Sequence, residues 1–168
     1  STAERQRRLV AKLRERIPGV TLRTTFIVGF PGETEEDFSQ LLDFVAESRF
    51  DRVGIFRYSD EEGTAAAALD AKVPRTLARE RYRRLAKLQA GIQAEKLTAL
   101  VGSEARVLVD VTIGAGRVRG RLASQAPEID GVVFLRGAGL APGQLVPAYI
   151  TGVKAGVDLE AQLLTSNL

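Results

Sequence analysis

Residues 22–30 have the hydrophobic pattern of a buried β-strand and lie between two stretches with a helical pattern. They are apolar and β-branched with no run of charge, which is typical of a strand covered on both faces of a parallel sheet. Pro31-Gly32 ends this strand, because proline has no N–H for the ladder and glycine permits a positive φ. Thr34 and Asp37 then have the spacing of a capping box. The helix that follows repeats apolar residues at i, i+3, i+4 and i+7 from Phe38.

The neighbouring segments repeat this order of helix and strand. Residues 3–16 carry apolar side chains on one helical stripe, and residues 52–59 have β character. Residues 65–70 are a candidate short helix. The alternation predicts βα repeats, in which ligands bind at the carboxyl ends of the strands, so residues 29–34 lie where a ligand is expected. Because two strands cannot form a parallel core, we expect further strands upstream of Ser1.

The pattern changes in the second half of the chain. Val73-Pro74 marks a boundary, and Thr76 is the predicted N-cap of a long helix that reaches about Leu97. Beyond residue 102, short alternating segments separated by Gly- and Pro-rich turns predict four strands, at residues 106–112, 117–122, 132–135 and 145–153. Short strands at this spacing are typical of a small β-barrel. The predicted fold class is α/β followed by all-β.

The amino-acid composition of the chain excludes several kinds of chemistry. The chain has no cysteine and no histidine, so disulfides, thiolate-held metals or clusters, and histidine general bases are excluded within these residues. There is no transmembrane run and no signal-peptide pattern, so we expect a cytoplasmic protein without a membrane partner. The absence of methionine leads us to expect a piece of a longer protein.

Charge is distributed unevenly along the chain. The net charge is +3, but residues 75–98 carry seven Lys/Arg against two Asp/Glu, whereas residues 99–168 carry six of each. The excess therefore lies in the predicted long helix. This pattern has two interpretations, a solvated basic helix face or a phosphate-binding surface.

The strand and loop at residues 23–38 resemble the methylthiotransferase family of radical S-adenosylmethionine (SAM) enzymes. Further segments stand in the order and spacing of that family: residues 50–59, 62–64 and 73–74, and the predicted barrel from about residue 99, which resembles a TRAM domain. Residues 120–121 and 126–131 resemble the branch that modifies an aspartate of a small-subunit ribosomal protein. The sister branch, which methylthiolates an adenosine in tRNA, lacks the run at 126–131. Where the family usually has Tyr-Asp-Leu, this chain has Val157-Asp-Leu159.

The resemblance implies three parts and two kinds of cofactor. Residues 1–74 would be the C-terminal part of a partial TIM-like radical SAM barrel, 75–98 a connecting helix and 99–168 an OB-like TRAM β-barrel. The cofactors are S-adenosyl-L-methionine and two 4Fe-4S clusters, and the clusters would be held by cysteines outside these residues. We therefore expect a methylthiotransferase as the full-length protein and no activity from this chain alone.

The resemblance also implies a place for SAM at the strand that ends at Gly29. Backbone groups at a strand end can pair with a base edge, and a glycine lets the base approach, so we expect Gly29→Val to block adenine with little change in fold. Ile27 or Phe30 would cover the adenine ring, or else belong to the barrel core. The remaining cofactor-binding candidates are polar: Arg23, Thr25, Tyr58 and Ser59.

Three of these polar candidates have a competing role. Arg23 would bind the methionine carboxylate or form a salt bridge at the floor of the barrel. Tyr58 and Ser59 follow the second strand, where they would contact a ribose or the substrate, or else only complete the fold.

The candidate substrate-binding residues, Glu128 and Asp130, lie in the predicted barrel. Their carboxylates would meet a basic segment of the ribosomal protein, or else both are solvated in a turn. The alternatives are a tRNA substrate, or a non-catalytic barrel that binds RNA or protein. Balanced charge and only two aromatic residues in the barrel argue against tight binding of tRNA there.

Overall fold

The computed structural model describes residues 2–164. The chain forms two compact units, residues 1–92 and 93–168, and the division between them falls inside one long helix. The first unit combines helices with a parallel pair of strands, and the second is a closed β-barrel. The predicted fold class, α/β followed by a small β-barrel, is therefore confirmed.

The first unit contains a two-stranded parallel sheet and three helices. Its elements in chain order are α1 (Ala3–Arg16), β1 (Arg23–Val28), α2 (Glu35–Ser48), β2 (Arg52–Arg57) and the part of α3 (Arg75–Thr98) up to Ile92. Residues 65–70, the candidate short helix, contain a 3₁₀ helix at Ala65–Ala68. In the sheet, Arg23 pairs with Arg52 and Val28 with Arg57. The core between sheet and helices joins residues of β1, α2 and α3: Val28, Phe38, Val45, Leu85 and Ile92.

Only one face of this sheet is covered within the described part of the chain. Exposure alternates along β1, and Val28 at its end is fully buried. On the other face, Ile27 and Phe56 are register partners and are 54% and 60% exposed. The prediction of a strand buried on both faces is therefore wrong for this chain. Apolar residues on both faces allow the strand to be buried on both, but α2 and α3 pack against one face only.

The start of α2 agrees with the capping box. Asp37 N–H donates to Thr34 Oγ1 at 3.1 Å, and Thr34 N–H donates to the Asp37 carboxylate at 2.9 Å. The hydrogen bonds from Thr34 lower the pKa of the Asp37 carboxyl. This cap fixes where the loop after β1 becomes helix.

The long helix α3 begins one residue before its predicted cap. Arg75 is its first residue, and Ala78 N–H donates to the Pro74 carbonyl at 3.0 Å, so Thr76 lies in the first turn and the predicted N-cap is wrong. The buried face includes two polar side chains, Arg81 and Gln89, among apolar ones. Gln89 donates to the Phe50 carbonyl at 3.1 Å.

The second unit is a five-stranded barrel. Its strands are β3 (Glu104–Gly114), β4 (Arg117–Arg121), β5 (Val133–Arg136), β6 (Leu145–Lys154) and β7 (Asp158–Leu163), closed in the order β3-β4-β5-β7-β6. The β5–β7 pair is parallel and the others are antiparallel. The last strand, β7, was not predicted, because its sequence has no β-branched or aromatic residue. Its Leu159 and Ala161 nevertheless face the barrel core.

Candidate functional site

The loop after β1 is held by a buried ion pair with α3. Glu33 Oε1 accepts hydrogen bonds from Gly29 N–H at 3.0 Å and from the Arg81 guanidinium at 2.6 Å. Arg81 also donates to the Glu33 carbonyl at 3.0 Å. The side chains of Arg81 and Glu33 are only 2% and 11% exposed. This pair therefore fixes the end of β1 against α3.

A second carboxylate extends this ion pair toward the surface. Glu35 accepts from Arg84 at 2.7 Å and lies 3.4 Å from Arg81, and both guanidiniums lie against the Phe38 ring. The hydrogen bond from Arg84, followed by the contribution of Arg81, lowers the pKa of the Glu35 carboxyl. Sequence reasoning missed this network. The available signal was two acids just after Pro31-Gly32 and two arginines three apart on α3.

The role expected of Gly29 needs a correction. Its φ is +76°, and an added Cβ would lie 2.6 Å from the Ala78 Cβ in α3. Its N–H is already bound by Glu33. The missing side chain therefore makes room for α3 and for a left-handed backbone, and contact between Gly29 and adenine stays a prediction. The expectation that Gly29→Val leaves the fold nearly unchanged is wrong, because valine here would push against α3.

Three of the SAM candidates share the uncovered face of the sheet. Arg23, Thr25 and Ile27 are exposed and alternate along β1 with partly or fully buried positions, and Phe56 lies beside Ile27 on β2. The face thus offers two apolar side chains next to a hydroxyl and a guanidinium. These residue types suit a flat heteroaromatic ring attached to polar groups, as in SAM.

The candidates after β2 belong to a different group of contacts. Tyr58 N–H donates to the Val28 carbonyl at 2.9 Å, which places Tyr58 beside the end of β1, and its ring meets that of Phe30 at 5.2 Å between centroids. The Tyr58 hydroxyl donates to Asp60 at 3.0 Å, and Lys72 donates to the same carboxylate. Ser59 donates to Glu61 at 3.3 Å.

Within this group Asp60 and Lys72 compensate each other's charge. The hydrogen bond from Lys72, followed by that from Tyr58, lowers the pKa of the Asp60 carboxyl. The same contact with Asp60 raises the pKa of Lys72, and burial followed by the Asp60 contact raises that of Tyr58. Tyr58 is therefore a neutral phenol already bound to a carboxylate.

An open cleft of about 1120 Å³ lies between the ends of the strands and α3. Of the SAM candidates, Gly29, Tyr58 and Ser59 line it, whereas Arg23, Thr25, Ile27 and Phe30 do not. Three candidates thus lie on the uncovered sheet face and three line this cleft, and Phe30, which follows β1, packs against Tyr58. The rest of the lining is rich in Lys and Arg.

The two candidate substrate residues share one loop of the barrel and differ in what they contact. Glu128 is exposed and has a φ of +62°, and Ile129 beside it is 76% exposed. Asp130 turns inward, where its carboxylate accepts from Ala126 N–H at 2.7 Å. Buried Gln125 accepts from Leu122 N–H at 2.8 Å and donates to the Gly131 carbonyl at 2.6 Å. The loop is therefore rigid at its base and presents its tip to solvent.

Comparison with known proteins assigns both parts of the chain. Residues 101–164 match the family described as TRAM domain, and this match includes all five strands of the barrel. RimO of Sorangium cellulosum, named ribosomal protein uS12 methylthiotransferase, is 48% identical over 163 residues, which are 96% of this chain and 33% of that protein. Relatives of the same name from Alkalilimnicola ehrlichii and Salmonella heidelberg are 54% and 49% identical, over 84% and 86% of this chain and 32% and 33% of their own length.

The second unit is thus a TRAM domain appended to an α/β unit. The chain as a whole belongs to the RimO family of ribosomal protein methylthiotransferases. It spans about one third of the length of these curated relatives. Across residues 2–164 no helix is long and apolar enough to cross a membrane, and no three His, Cys, Asp or Glu side chains group as a metal site.

Proposed function

We propose that the protein containing this chain is a radical SAM methylthiotransferase that places a methylthio group on the β-carbon of an aspartate in ribosomal protein uS12, in the cytoplasm. The observation that carries the proposal is the 48% identity over 96% of the chain to a protein named for that reaction class. In this proposal residues 1–74 complete the SAM barrel, 75–98 connect and 99–168 form the TRAM domain. When bound, the two 4Fe-4S clusters and SAM supply the radical and sulfur-transfer chemistry.

The residues of this chain would bind and orient SAM, and the cysteines for the clusters would lie elsewhere in the protein. Ile27 and Phe56 give an apolar surface for the adenine, and Thr25 and Arg23 offer polar groups beside it. The Arg81–Glu33 pair has a positioning role, because it fixes the end of β1 directly before Phe30, where Tyr58 N–H also bonds the Val28 carbonyl.

The sheet-face assignment is tested by Ile27→Ala in the full-length protein. We expect SAM to bind about tenfold more weakly, because the change removes apolar cover of the order of 1–2 kcal/mol from the ring. Equilibrium dialysis with SAM measures this. Leu9→Ala is the matched control, since Leu9 is similarly exposed, at 56%, and belongs to α1 and not to the sheet. A lower melting temperature with unchanged SAM affinity would instead assign Ile27 to the barrel core.

The substrate is tested by assaying the reconstituted full-length enzyme on uS12 and on tRNA. We expect mass spectrometry to find one added methylthio group on an aspartate-containing peptide of uS12 and none on tRNA nucleosides. Modification of tRNA adenosine without modification of uS12 would contradict the proposal and favour the tRNA-modifying branch.

The barrel loop supplies a variant for the same assay. We propose that Glu128, at the exposed loop tip, meets a basic segment of uS12, and that Asp130 contributes by holding the loop. Glu128→Lys should raise KM for uS12 several-fold, most at low ionic strength, because the attraction becomes a repulsion. Glu104→Lys, an equal charge change at an exposed strand position of the barrel, is the control. Equal effects of both variants would exclude a specific role for the loop.

A further inference from the structure

The positive charge of α3 is divided between two of its faces. Arg81 and Arg84 contact Glu33 and Glu35 and belong to the network that holds the strand end. Three other arginines, Arg75, Arg79 and Arg83, line the open cleft together with Arg57 and Lys72. We call this surface the α3 cleft. The excess of Lys and Arg in residues 75–98 therefore has both a structural and a surface component.

The cations of the α3 cleft are largely uncompensated. Asp60 is the one acidic side chain among its lining residues, and it is bound by Lys72 and Tyr58. Across residues 2–164, the structure gives no ion pair to Arg57 or to the three α3 arginines. Five cations face one carboxylate, Asp60, which interacts with Lys72 and also electrostatically with Arg75, so the lining carries an excess of four positive charges. Such a cleft attracts anions.

The spacing of these cations fits an extended anion better than a small one. Arg75, Arg79 and Arg83 are four residues apart, so they follow one another at about 6 Å along the helix. The cleft volume of about 1120 Å³ exceeds the roughly 300–1,000 Å³ typical of small-molecule pockets, and the cleft is open to solvent. A chain of phosphates can contact all three guanidiniums at once, whereas a single phosphate cannot.

Aromatic side chains distinguish between the possible polyanions. Tyr82 lies on the same face of α3 as the three arginines, lines the cleft and is 38% exposed. Single-stranded nucleic acids bind where a positively charged groove carries exposed aromatic rings, because the bases stack on those rings. An acidic peptide would use the cations but gain little from the rings. We infer that the α3 cleft binds single-stranded RNA.

This inference stands on the first unit alone and does not require the proposed chemistry. It does agree with a substrate that is a ribosomal protein, since such a protein lies beside RNA. It also places RNA binding in the first unit and not in the TRAM barrel, because residues 99–168 carry equal numbers of basic and acidic side chains.

The test is fluorescence anisotropy of the full-length protein with a labelled single-stranded RNA of about 12 nucleotides, between about 50 and 200 mM salt. The variant combines Arg75→Gln, Arg79→Gln and Arg83→Gln. We expect at least tenfold weaker binding near 100 mM salt, and a log–log salt slope reduced by about 2, since each lost phosphate contact on a single strand is worth about 0.7.

The matched control removes three exposed arginines from the barrel instead: Arg117→Gln, Arg119→Gln and Arg136→Gln. It changes net charge equally and tests the rival site, and we expect less than a twofold effect. Equal loss in both variants, loss only in the barrel variant, or no binding by the wild type at the lowest salt would overturn the inference.

Stacking is tested separately at Tyr82. Tyr82→Ala should weaken RNA binding about fivefold or more, whereas Tyr82→Phe, which keeps the ring, should not. Poly-glutamate serves as a competitor of the same charge without bases. If poly-glutamate displaces the RNA at equal charge concentration and Tyr82→Ala has no effect, the α3 cleft binds acidic polymers in general and the assignment to RNA fails.

Discussion

Replacing Arg81 by methionine is expected to lower the free energy of unfolding of the first unit by about 3–5 kcal/mol. The guanidinium is 2% exposed and bonds both the carboxylate and the carbonyl of Glu33. Methionine fills much of the same space, so the dominant cost is the carboxylate of Glu33 left buried without its partner. Urea unfolding followed by the helical circular dichroism signal measures the change.

Two further variants isolate the cause. Arg84→Met removes the partner of Glu35 at a pair whose side chains are 41% and 58% exposed, so we expect only a small change. Adding Glu33→Gln to Arg81→Met removes the buried charge and keeps an oxygen for the Gly29 N–H, so it should restore much of the lost stability. If Arg81→Met is no worse than Arg84→Met, or if the second change restores nothing, the ion pair is not what stabilises the strand end.

The ion pair between Arg81 and Glu33 illustrates which features of the first unit can be predicted from sequence and which cannot. The hydrophobic periods locate both strands and all the helices, because a period of 2 or 3.6 reports which side of an element is buried. The hydrophobic periods do not show which element packs on a given face. The pattern of β1 therefore predicts cover on both faces, whereas the structure covers one. The periods also treat arginine as a surface residue, so Arg81 was counted with the basic excess of α3 instead of with the core.

The candidate site shows the same limit. Sequence identified the strand ends as a place for ligands but gave no means of dividing the candidates between two surfaces. The cleft that includes Tyr58 and Ser59 depends on the packing of α3, a long-range contact that no local pattern encodes. Gly29 illustrates the point, since a glycine needed for a ligand and a glycine needed for a helix look the same in sequence.

In the barrel, the candidate substrate loop at residues 126–131 ends in a residue that has a structural reason to be glycine. An added Cβ at Gly131 would lie 2.7 Å from the carbonyl carbon of Val157 and closer still to its oxygen. Next to this contact, Val132 N–H donates to the Asp158 carboxylate at 2.8 Å. The close approach therefore joins the end of the loop to the start of β7, where the parallel β5–β7 pair closes the barrel.

Gly131→Ala is accordingly expected to destabilise the barrel by about 3 kcal/mol, because the methyl group meets backbone atoms that move only if the β5–β7 pair moves. Hydrogen exchange of the amides of β5 and β7 measures the loss of protection. Gly152→Ala is the control within the same barrel, because its added Cβ would come no closer than 3.4 Å to a flexible Glu160 carboxylate. If both variants keep their protection, the barrel does not depend on the contact with Val157, and the glycine would have to be explained by the substrate that the loop binds.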